Sequence, residues 1–147
     1  MGIDKKMAMA KGRGINKMPE EKEKVLVAED NDIIRKILTS LLSSYSEYEV
    51  YAAKDGEEAV QKIKELNPGI VITDLEMPRK NGDYVIEKAK EHYPLMHIVL
   101  MTAKDLDDQG DELLQRAFRA GPSYILRKPF TADDVERALK SGLQMMF

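Results

Sequence analysis

Residues 69–82 read GIVITDLEMPRKNG, and this stretch decides the fold class of the chain. It opens with an apolar run rich in β-branched residues, which predicts a strand buried on both faces. Strands of this kind are typical of parallel sheets covered by helices. Asp74 stands where the run stops, and Pro78 and the Asn81-Gly82 pair predict a loop beyond it. Since open α/β sheets place functional groups just past the carboxyl ends of strands, Asp74 is a candidate functional residue.

The rest of the chain alternates strands and helices in the same way. The other four predicted strands cover residues 25–28, 48–53, 97–101 and 124–126, and a helix is predicted after each of the five strands. Strict alternation predicts a parallel sheet with helices on both sides. The predicted fold class is therefore α/β, a doubly wound five-stranded parallel sheet in three αβα layers. The first helix carries an apolar stripe: Ile33, Ile34, Ile37, Leu38, Leu41 and Leu42.

The composition is that of an ordinary globular protein of one domain. The chain has 147 residues, of which 43% are hydrophobic and 33% charged. It has no cysteine and only two histidines, which argues against a disulfide framework, a thiolate zinc site and a histidine metal cluster. No apolar run has the length of a membrane span, and no signal peptide is recognisable. A cytoplasmic location without membrane contact is the resulting expectation.

The net charge of −3 is unevenly distributed along the chain. Residues 1–24 carry seven Lys or Arg and four Asp or Glu, a net of +3. The 16 basic and 22 acidic residues of 25–147 give a net of −6. We interpret residues 1–24, which lack periodicity, as a disordered tail or an expression remnant, and residues 25–147 as the folded domain. An acidic domain of this kind is not expected to bind nucleic acid directly.

Polar residues with complementary chemistry stand at the ends of four predicted strands: Glu29 and Asp30, Asp74, Thr102, and Lys128. Each alone has a simpler interpretation as a helix cap, a turn residue or a surface side chain, but their joint occurrence is hard to assign to chance. In strand order 2-1-3-4-5, strands one and three are neighbours, so the three carboxylates converge. Close carboxylates repel each other unless a cation joins them, and oxygen ligands of this kind suit Mg²⁺.

This set of residues predicts phosphoryl transfer chemistry. Asp74 could act as the nucleophile that forms an aspartyl phosphate, and Mg²⁺ would neutralise charge on the incoming group. Thr102 could donate a hydrogen bond to one phosphoryl oxygen, and Lys128 could place a positive charge beside another. Positioning and charge stabilisation are most of what phosphoryl transfer requires of a protein.

At this point the sequence closely resembles the receiver domains of two-component response regulators. The matching motifs are VLVAEDN at 25–31, ITDLEMP at 72–78 with Gly82, MTA at 101–103 and KPF at 128–130. The resemblance covers about residues 24–144 and identifies 25–147 as a receiver domain. It implies a flavodoxin-like (CheY-like) fold, and phosphoryl transfer onto Asp74 from a sensor histidine kinase or phosphotransfer protein in a phosphorelay. The chain would then be no enzyme beyond its own phosphorylation and dephosphorylation.

The resemblance also implies roles for individual residues. Asp30 and Asp74 would ligate Mg²⁺, with Glu29 acting through water and the main-chain carbonyl of Glu76 completing the set. Thr102 and Lys128 would sense the phosphoryl group, and the peptide bond between Lys128 and Pro129 would be cis. A signal would leave through the face made by the fourth helix, fifth strand and fifth helix, where a homodimer is one expectation.

Two departures from the family pattern bear on signalling. Ile125 occupies the usual position of a switch aromatic, and Tyr124, one place earlier, is expected to point to the opposite face of the sheet. The segment from Thr102 to Gly121 is a few residues longer than usual, an excess that we place in residues 104–110. Glu76 and Lys104 each lie two residues past a motif residue. They are either two unrelated solvated side chains or a facing pair, and a pair would slow hydrolysis of the aspartyl phosphate.

Three alternatives remain open from the sequence. The main one is a receiver-like interaction module that is never phosphorylated. An aspartate-nucleophile phosphatase usually has a second Asp two residues after the nucleophile, where this chain has Glu76. A flavin binder would need a phosphate loop where Glu29 and Asp30 stand. The sequence ends at Phe147, just past the fifth predicted helix, which suits either a stand-alone receiver or part of a larger regulator; the cognate kinase and pathway cannot be read from it.

Overall fold

The computed structural model describes residues 21–144, so the first 20 residues of the predicted tail lie outside the described part. Five strands alternate with five helices, as predicted. In chain order they are β1 (Glu23–Ala28), α1 (Asp32–Ser43), β2 (Tyr48–Ala53), α2 (Gly56–Leu66), β3 (Ile70–Asp74), α3 (Gly82–His92), β4 (His97–Thr102), α4 (Glu112–Ala120), β5 (Tyr124–Arg127) and α5 (Ala132–Gln144).

The sheet has the order β2-β1-β3-β4-β5, and every neighbouring pair of strands is parallel. The predicted fold class is therefore confirmed. Ala28 of β1 lies beside Thr73 of β3, so Glu29 and Asp74 are the next residues on adjacent strands. Across the other side of β3, Asp74 pairs with Met101, the residue before Thr102. Strand register thus brings the polar strand ends to one edge of the sheet.

Two apolar clusters cover the two faces of the sheet. Because side chains alternate along a strand, Val25 and Val27 of β1 pack on one face while Leu26 and Ala28 pack on the other. Helices α2, α3 and α4 supply the cluster that contains Leu26, and α1 and α5 supply the cluster that contains Val25. This is the three-layer arrangement that the alternation of elements predicts, with the functional edge at the carboxyl ends of the strands.

Side-chain caps fix where several helices begin. Asn31 accepts hydrogen bonds from the first turn of α1, and Asp55 and Asp111 do the same for α2 and α4. Thr131 accepts from the main-chain N–H of Asp134 at the start of α5. No helix within residues 21–144 is long and apolar enough to cross a bilayer.

Three strand boundaries differ from the sequence-based prediction. Strands β4 and β5 each extend one residue further, to Thr102 and Arg127, and the largest difference is at the start of β1. Strand β1 begins at Glu23 rather than at residue 25, because Glu23 and Lys24 pair in register with Tyr48 and Glu49 of β2. The backbone hydrogen bonds of a sheet extend past the apolar residues that mark a strand in the sequence. Two consecutive polar residues at a half-buried strand end carry no alternation signal, so the sequence does not predict the first two positions of β1.

Candidate functional site

Glu29 is buried at the carboxyl end of β1, with 1% of its surface exposed. Its Oε1 accepts a hydrogen bond from the Lys128 ammonium at 2.9 Å, and its Oε2 accepts one from the main-chain N–H of Asn31 at 3.0 Å. Burying a carboxylate is costly unless it is paired and hydrogen-bonded, and both conditions are met here. Both oxygens of Glu29 are therefore already engaged by protein donors.

Asp74 is the last residue of β3, and its side chain is largely buried. Its Oδ1 accepts from the main-chain N–H of Leu75 at 2.8 Å, and its Oδ2 lies 3.2 Å from the Lys128 Nζ. Burial, followed by the nearby negative charge of Glu29, raises the pKa of Asp74 to about 6, although Lys128 acts in the opposite direction. A fraction of this carboxyl is thus protonated near neutral pH when no cation offsets its burial.

Lys128 follows β5 and joins two carboxylates. Its ammonium lies 2.9 Å from Glu29 Oε1 and 3.2 Å from Asp74 Oδ2. Burial acts to lower the pKa of Lys128, but the hydrogen bonds and charges of Glu29 and Asp74 together outweigh it, so the pKa is raised. Lys128 therefore stays charged across the neutral range, and the peptide bond between Lys128 and Pro129 is cis, as the resemblance implied.

Three carboxylates form a compact cluster at this edge of the sheet. One oxygen each from Glu29, Asp30 and Asp74 lie within 4.8 Å of one another. The Asp30 side chain is exposed, and its pKa is raised by partial burial and by the charge of Glu29. Within residues 21–144, the ammonium that pairs with this cluster is that of Lys128, so three acids face one cation and negative charge is in excess. A small, hard divalent cation fits this donor set, and the cluster could hold one.

Thr102 is the last residue of β4 and lines a cleft of about 310 Å³. Asp74, Glu76, Lys104 and Lys128 also line this cleft. The Thr102 Oγ1 accepts a hydrogen bond from the main-chain N–H of Lys104 at 3.0 Å. A hydroxyl that accepts one bond still has its hydrogen to donate. The cleft thus brings a carboxylate, a hydroxyl group with a hydrogen to donate and two ammonium groups around one small space.

The family model of the response regulator receiver domain matches residues 25–140. This chain belongs to that family. It is 35% identical over 118 residues to the transcriptional regulatory protein LnrK of Bacillus subtilis, covering 79% of this chain and 51% of LnrK. It is 35% identical over 113 residues to hybrid signal transduction histidine kinase D of Dictyostelium discoideum, covering 76% of this chain and 7% of the kinase. The recognition as a receiver domain of two-component signalling is confirmed.

Solved structures agree with this assignment. The chemotaxis protein CheY4 of Vibrio cholerae has a TM-score of 0.72 and 26% identity, with 81% of this chain and 97% of that chain covered. The response regulator domain of Thermotoga maritima CheB has a TM-score of 0.67 and 28% identity, with 86% and 97% covered. In contrast, this chain spans at most about half the length of the two curated relatives.

The receiver domain also contains a contact between Glu76 and Lys104, one of the two alternatives that the sequence left open. The Lys104 Nζ lies 3.7 Å from Glu76 Oε2. It lies closer, at 2.8 Å, to Asp111 Oδ2, a partner that the sequence did not suggest. An acidic residue before a helix indicates a cap, but its ion pair with Lys104 depends on the path of the loop between them. No periodic signal encodes that path.

Arg35 of α1 is a second residue that sequence reasoning missed. Its guanidinium donates to the main-chain oxygen of Glu29 at 2.9 Å and to that of Asp30 at 3.4 Å, and it pairs with Asp32. These contacts hold the turn that carries the acidic pair. The available signal was spacing, because Arg35 lies one to two helical turns after the acids, but Arg on a helix is more often a solvated side chain.

Gly82 shapes the loop beside Asp74. A Cβ atom at Gly82 would collide with the main-chain oxygen of Asp74, and the N–H of Gly82 donates to the oxygen of Leu75 at 2.7 Å. Only glycine permits this close approach of α3 to the end of β3. The Gly82 of the sequence motif is therefore explained by packing against the backbone of the proposed phosphorylation site.

The two residues at the family's switch position lie on opposite faces of the sheet. Ile125 packs with the cluster formed by α2, α3 and α4, whereas Tyr124 packs with the cluster formed by α1 and α5. The expectation that Tyr124 points away from Ile125 is confirmed. An aliphatic side chain stands where the family pattern has an aromatic ring, so a ring movement at that position is not available to this receiver.

Proposed function

We propose that Asp74 accepts a phosphoryl group from a phosphohistidine of a sensor histidine kinase or phosphotransfer protein, in a reaction that requires Mg²⁺. One observation supports this above all: the Asp74 carboxylate clusters with the acidic pair that follows β1 and lies 3.2 Å from the Lys128 Nζ. A surface carboxylate with a capping role would not need contact with an ammonium group and two further acids. The proposal places the chain in signalling rather than in metabolic catalysis.

The proposed step is a nucleophilic transfer between two protein side chains. A carboxylate oxygen of Asp74 attacks the phosphorus of the donor phosphohistidine, a P–O bond forms and the P–N bond breaks. The electron pair of the broken P–N bond stays on the imidazole nitrogen of the donor. That nitrogen takes up a proton from the solvent, and the donor histidine leaves with a neutral imidazole ring. Later attack of water on phosphorus releases inorganic phosphate and restores the Asp74 carboxylate.

Residues of this chain would hold the metal ion as the resemblance implied. Asp30 and Asp74 are the proposed direct ligands, together with the main-chain carbonyl of Glu76. Glu29 would act through water, in keeping with its two oxygens being engaged by Lys128 and Asn31. When bound, Mg²⁺ would neutralise negative charge on the transferring phosphoryl group. The excess negative charge of the cluster supports a divalent cation over a monovalent one.

Thr102 and Lys128 are the proposed phosphoryl-binding side chains. Lys128 already contacts Asp74 Oδ2, so its ammonium needs only a small movement to reach an oxygen of a phosphoryl group attached to Asp74. Thr102 can turn its hydroxyl hydrogen toward a second phosphoryl oxygen, because its present hydrogen bond uses the oxygen as acceptor. Both residues would act by stabilising charge, which is the main protein contribution to phosphoryl transfer.

The experiment is incubation with acetyl phosphate followed by intact mass measurement. The wild-type protein with Mg²⁺ should gain one phosphoryl group, whereas Asp74→Asn, or the wild type with excess chelator, should gain none. Asp55→Asn is the matched control, since Asp55 is a capping carboxylate of α2 that does not line the cleft. No gain in the wild type would favour the alternative of an unphosphorylated interaction module.

The remaining expectations are also proposals. A homodimer through α4, β5 and α5 predicts that phosphorylation changes the sedimentation coefficient, and an unchanged monomer would end that idea. Absence of direct nucleic-acid binding and a cytoplasmic location stay predictions from charge and composition. The absence of an independent enzymatic activity is likewise a prediction. One relative, a protein-glutamate methylesterase of Bdellovibrio bacteriovorus, is named for an activity, but the match covers only one third of that longer protein.

A further inference from the structure

The Lys104 side chain connects the cleft to the start of α4. Its ammonium lies 2.8 Å from Asp111 Oδ2 and 3.7 Å from Glu76 Oε2, at the rim of the cleft that contains Asp74. Its main-chain N–H donates to Thr102 Oγ1. One residue thus contacts a proposed phosphoryl-binding hydroxyl through its backbone and two acids through its side chain.

Asp111 has a structural task besides this ion pair. Its Oδ1 accepts a hydrogen bond from the main-chain N–H of Leu114 at 3.0 Å, and its main-chain oxygen accepts from Gln115, so it is the N-cap of α4. The two carboxylate oxygens are therefore divided between the helix and Lys104. The partner of Lys104 is thus the same carboxylate that caps the first turn of α4.

The ion pair is formed between fully charged groups. The hydrogen bond from Lys104 lowers the pKa of Asp111, and the hydrogen bond to Asp111 raises the pKa of Lys104. Both groups stay ionised through the neutral range, so the contact is decided by competition between anions for one ammonium. It is not decided by proton gain or loss.

Phosphorylation of Asp74 would introduce a competing anion into the same cleft. A phosphoryl group replaces the single charge of a carboxylate with about two negative charges. Lys128, the other ammonium that lines the cleft, is already shared between Glu29 and Asp74. Lys104 has partners outside the acidic cluster, so it can leave them and neutralise the added charge.

We propose that Asp111 is a positioning residue for the phosphoryl site, which holds the Lys104 ammonium at the cleft rim and yields it to a phosphoryl oxygen once Asp74 is phosphorylated. This exchange couples the state of Asp74 to the N-terminus of α4. It supplies a route to the signalling face in a receiver whose switch position holds Ile125. The inference rests on the proposed function of Asp74.

Substitution of Asp111 by asparagine separates its two tasks. Asparagine caps helices as well as aspartate, so Asp111→Asn keeps the cap of α4 but removes the anion that competes for Lys104. The Lys104 ammonium is then free to bind a phosphoryl oxygen. We expect tighter binding of a phosphoryl analogue in Asp111→Asn and weaker binding in Lys104→Met, each by about fivefold or more, the lower end of usual coupling between sites.

The measurement is a titration of beryllofluoride, a phosphoryl analogue, in the presence of Mg²⁺ by isothermal calorimetry. Four proteins form a cycle: the wild type, the two single variants and the double variant. If Asp111 acts through Lys104, Asp111→Asn has no effect on affinity in the Lys104→Met background. An effect of equal size in both backgrounds would overturn the inference.

A matched control tests whether any capping carboxylate gives the same result. Asp55 caps α2 and lies 3.3 Å from the guanidinium of Arg79, but it does not line the cleft. Asp55→Asn therefore removes a similar ion pair and keeps a similar cap. Its affinity for beryllofluoride should equal that of the wild type, and a gain matching that of Asp111→Asn would count against a specific role of Asp111.

Hydrogen exchange reports on the coupling to α4 itself. Beryllofluoride should speed exchange of the amides of residues 112–115 in the wild type, because Asp111 loses the ion pair that restrains the cap. It should leave these amides unchanged in Lys104→Met. The same change in both proteins would show that the signal does not pass through Lys104. Failure of the wild type to bind beryllofluoride would instead overturn the proposed function together with this inference.

Discussion

The Asp74 carboxyl group is placed in an environment that disfavours its own charge. Burial and the neighbouring Glu29 raise its pKa to about 6 from an ordinary value of 3.8, despite the contact with Lys128. The folded chain therefore binds a proton more readily than the unfolded chain between these two values. Stability from this group is fully present below pH 3.8 and is lost as the pH rises through about 6.

Removing this charge should stabilise the metal-free protein in a pH-dependent way. We expect Asp74→Asn to unfold at a higher urea concentration than the wild type at neutral pH. Its free energy of unfolding should be greater by up to about 3 kcal/mol at neutral pH and by almost nothing near pH 4. The measurement is urea unfolding followed by far-ultraviolet circular dichroism, with a chelator present. Added Mg²⁺ should narrow the difference, because it binds the wild type. A difference that is constant from acid to neutral pH would contradict the charge argument.

At the scale of elements, packing on the sheet buries only part of the apolar stripe of α1. Of the apolar stripe in its sequence, Leu38 and Leu42 are buried, whereas Ile33 and Ile37 are 70% and 57% exposed. Ile37 lines an apolar groove with Pro129 and Phe130, and Lys128 forms part of the same groove. Lys128 also contacts Asp74, so the groove adjoins the proposed phosphorylation site. We propose that the phosphohistidine-bearing partner docks here.

A charged residue in this groove should slow phosphoryl transfer from a protein donor but not from a small-molecule donor. In Ile37→Glu, we expect transfer from a phosphorylated histidine phosphotransfer protein to slow by about tenfold or more, as for loss of a central interface contact. Phosphorylation by acetyl phosphate, which needs no docking surface, should be unchanged. The control is Leu95→Glu, since Leu95 is 98% exposed and lies outside the groove. Equal slowing in both variants would argue against α1 as the docking element.

At the scale of the whole molecule, the sequence predicted what depends on periodicity and chain order. The apolar runs predicted five strands, their alternation with helices predicted a parallel sheet, and the residues after four strands proved to be neighbours. Asp74 and Lys128 are 54 residues apart in the sequence. They meet because strand order and register bring the ends of their strands to one edge of the sheet. Fold and site therefore follow from the same pattern.

The contacts that the sequence did not predict depend on loop and side-chain conformation. The pairing of Lys104 with Asp111 requires the loop of residues 104–110 to turn back toward the cleft, and no repeat or turn motif specifies that path. The clamp of Arg35 on the main-chain oxygens of Glu29 and Asp30 requires one rotamer of a long side chain. Such features arise from local competition among polar groups, which the sequence leaves undetermined.

The most direct test of the central claim is chemical mapping of the phosphorylated residue. After incubation with acetyl phosphate and Mg²⁺, borohydride reduces an acyl phosphate to an alcohol, so an aspartyl phosphate becomes homoserine. Peptide mass spectrometry then locates the change. We predict homoserine at position 74 and at no other aspartate. Homoserine at another position with Asp74 unmodified, or no homoserine in a protein that binds Mg²⁺, would contradict the assignment of Asp74 as the phosphoryl acceptor.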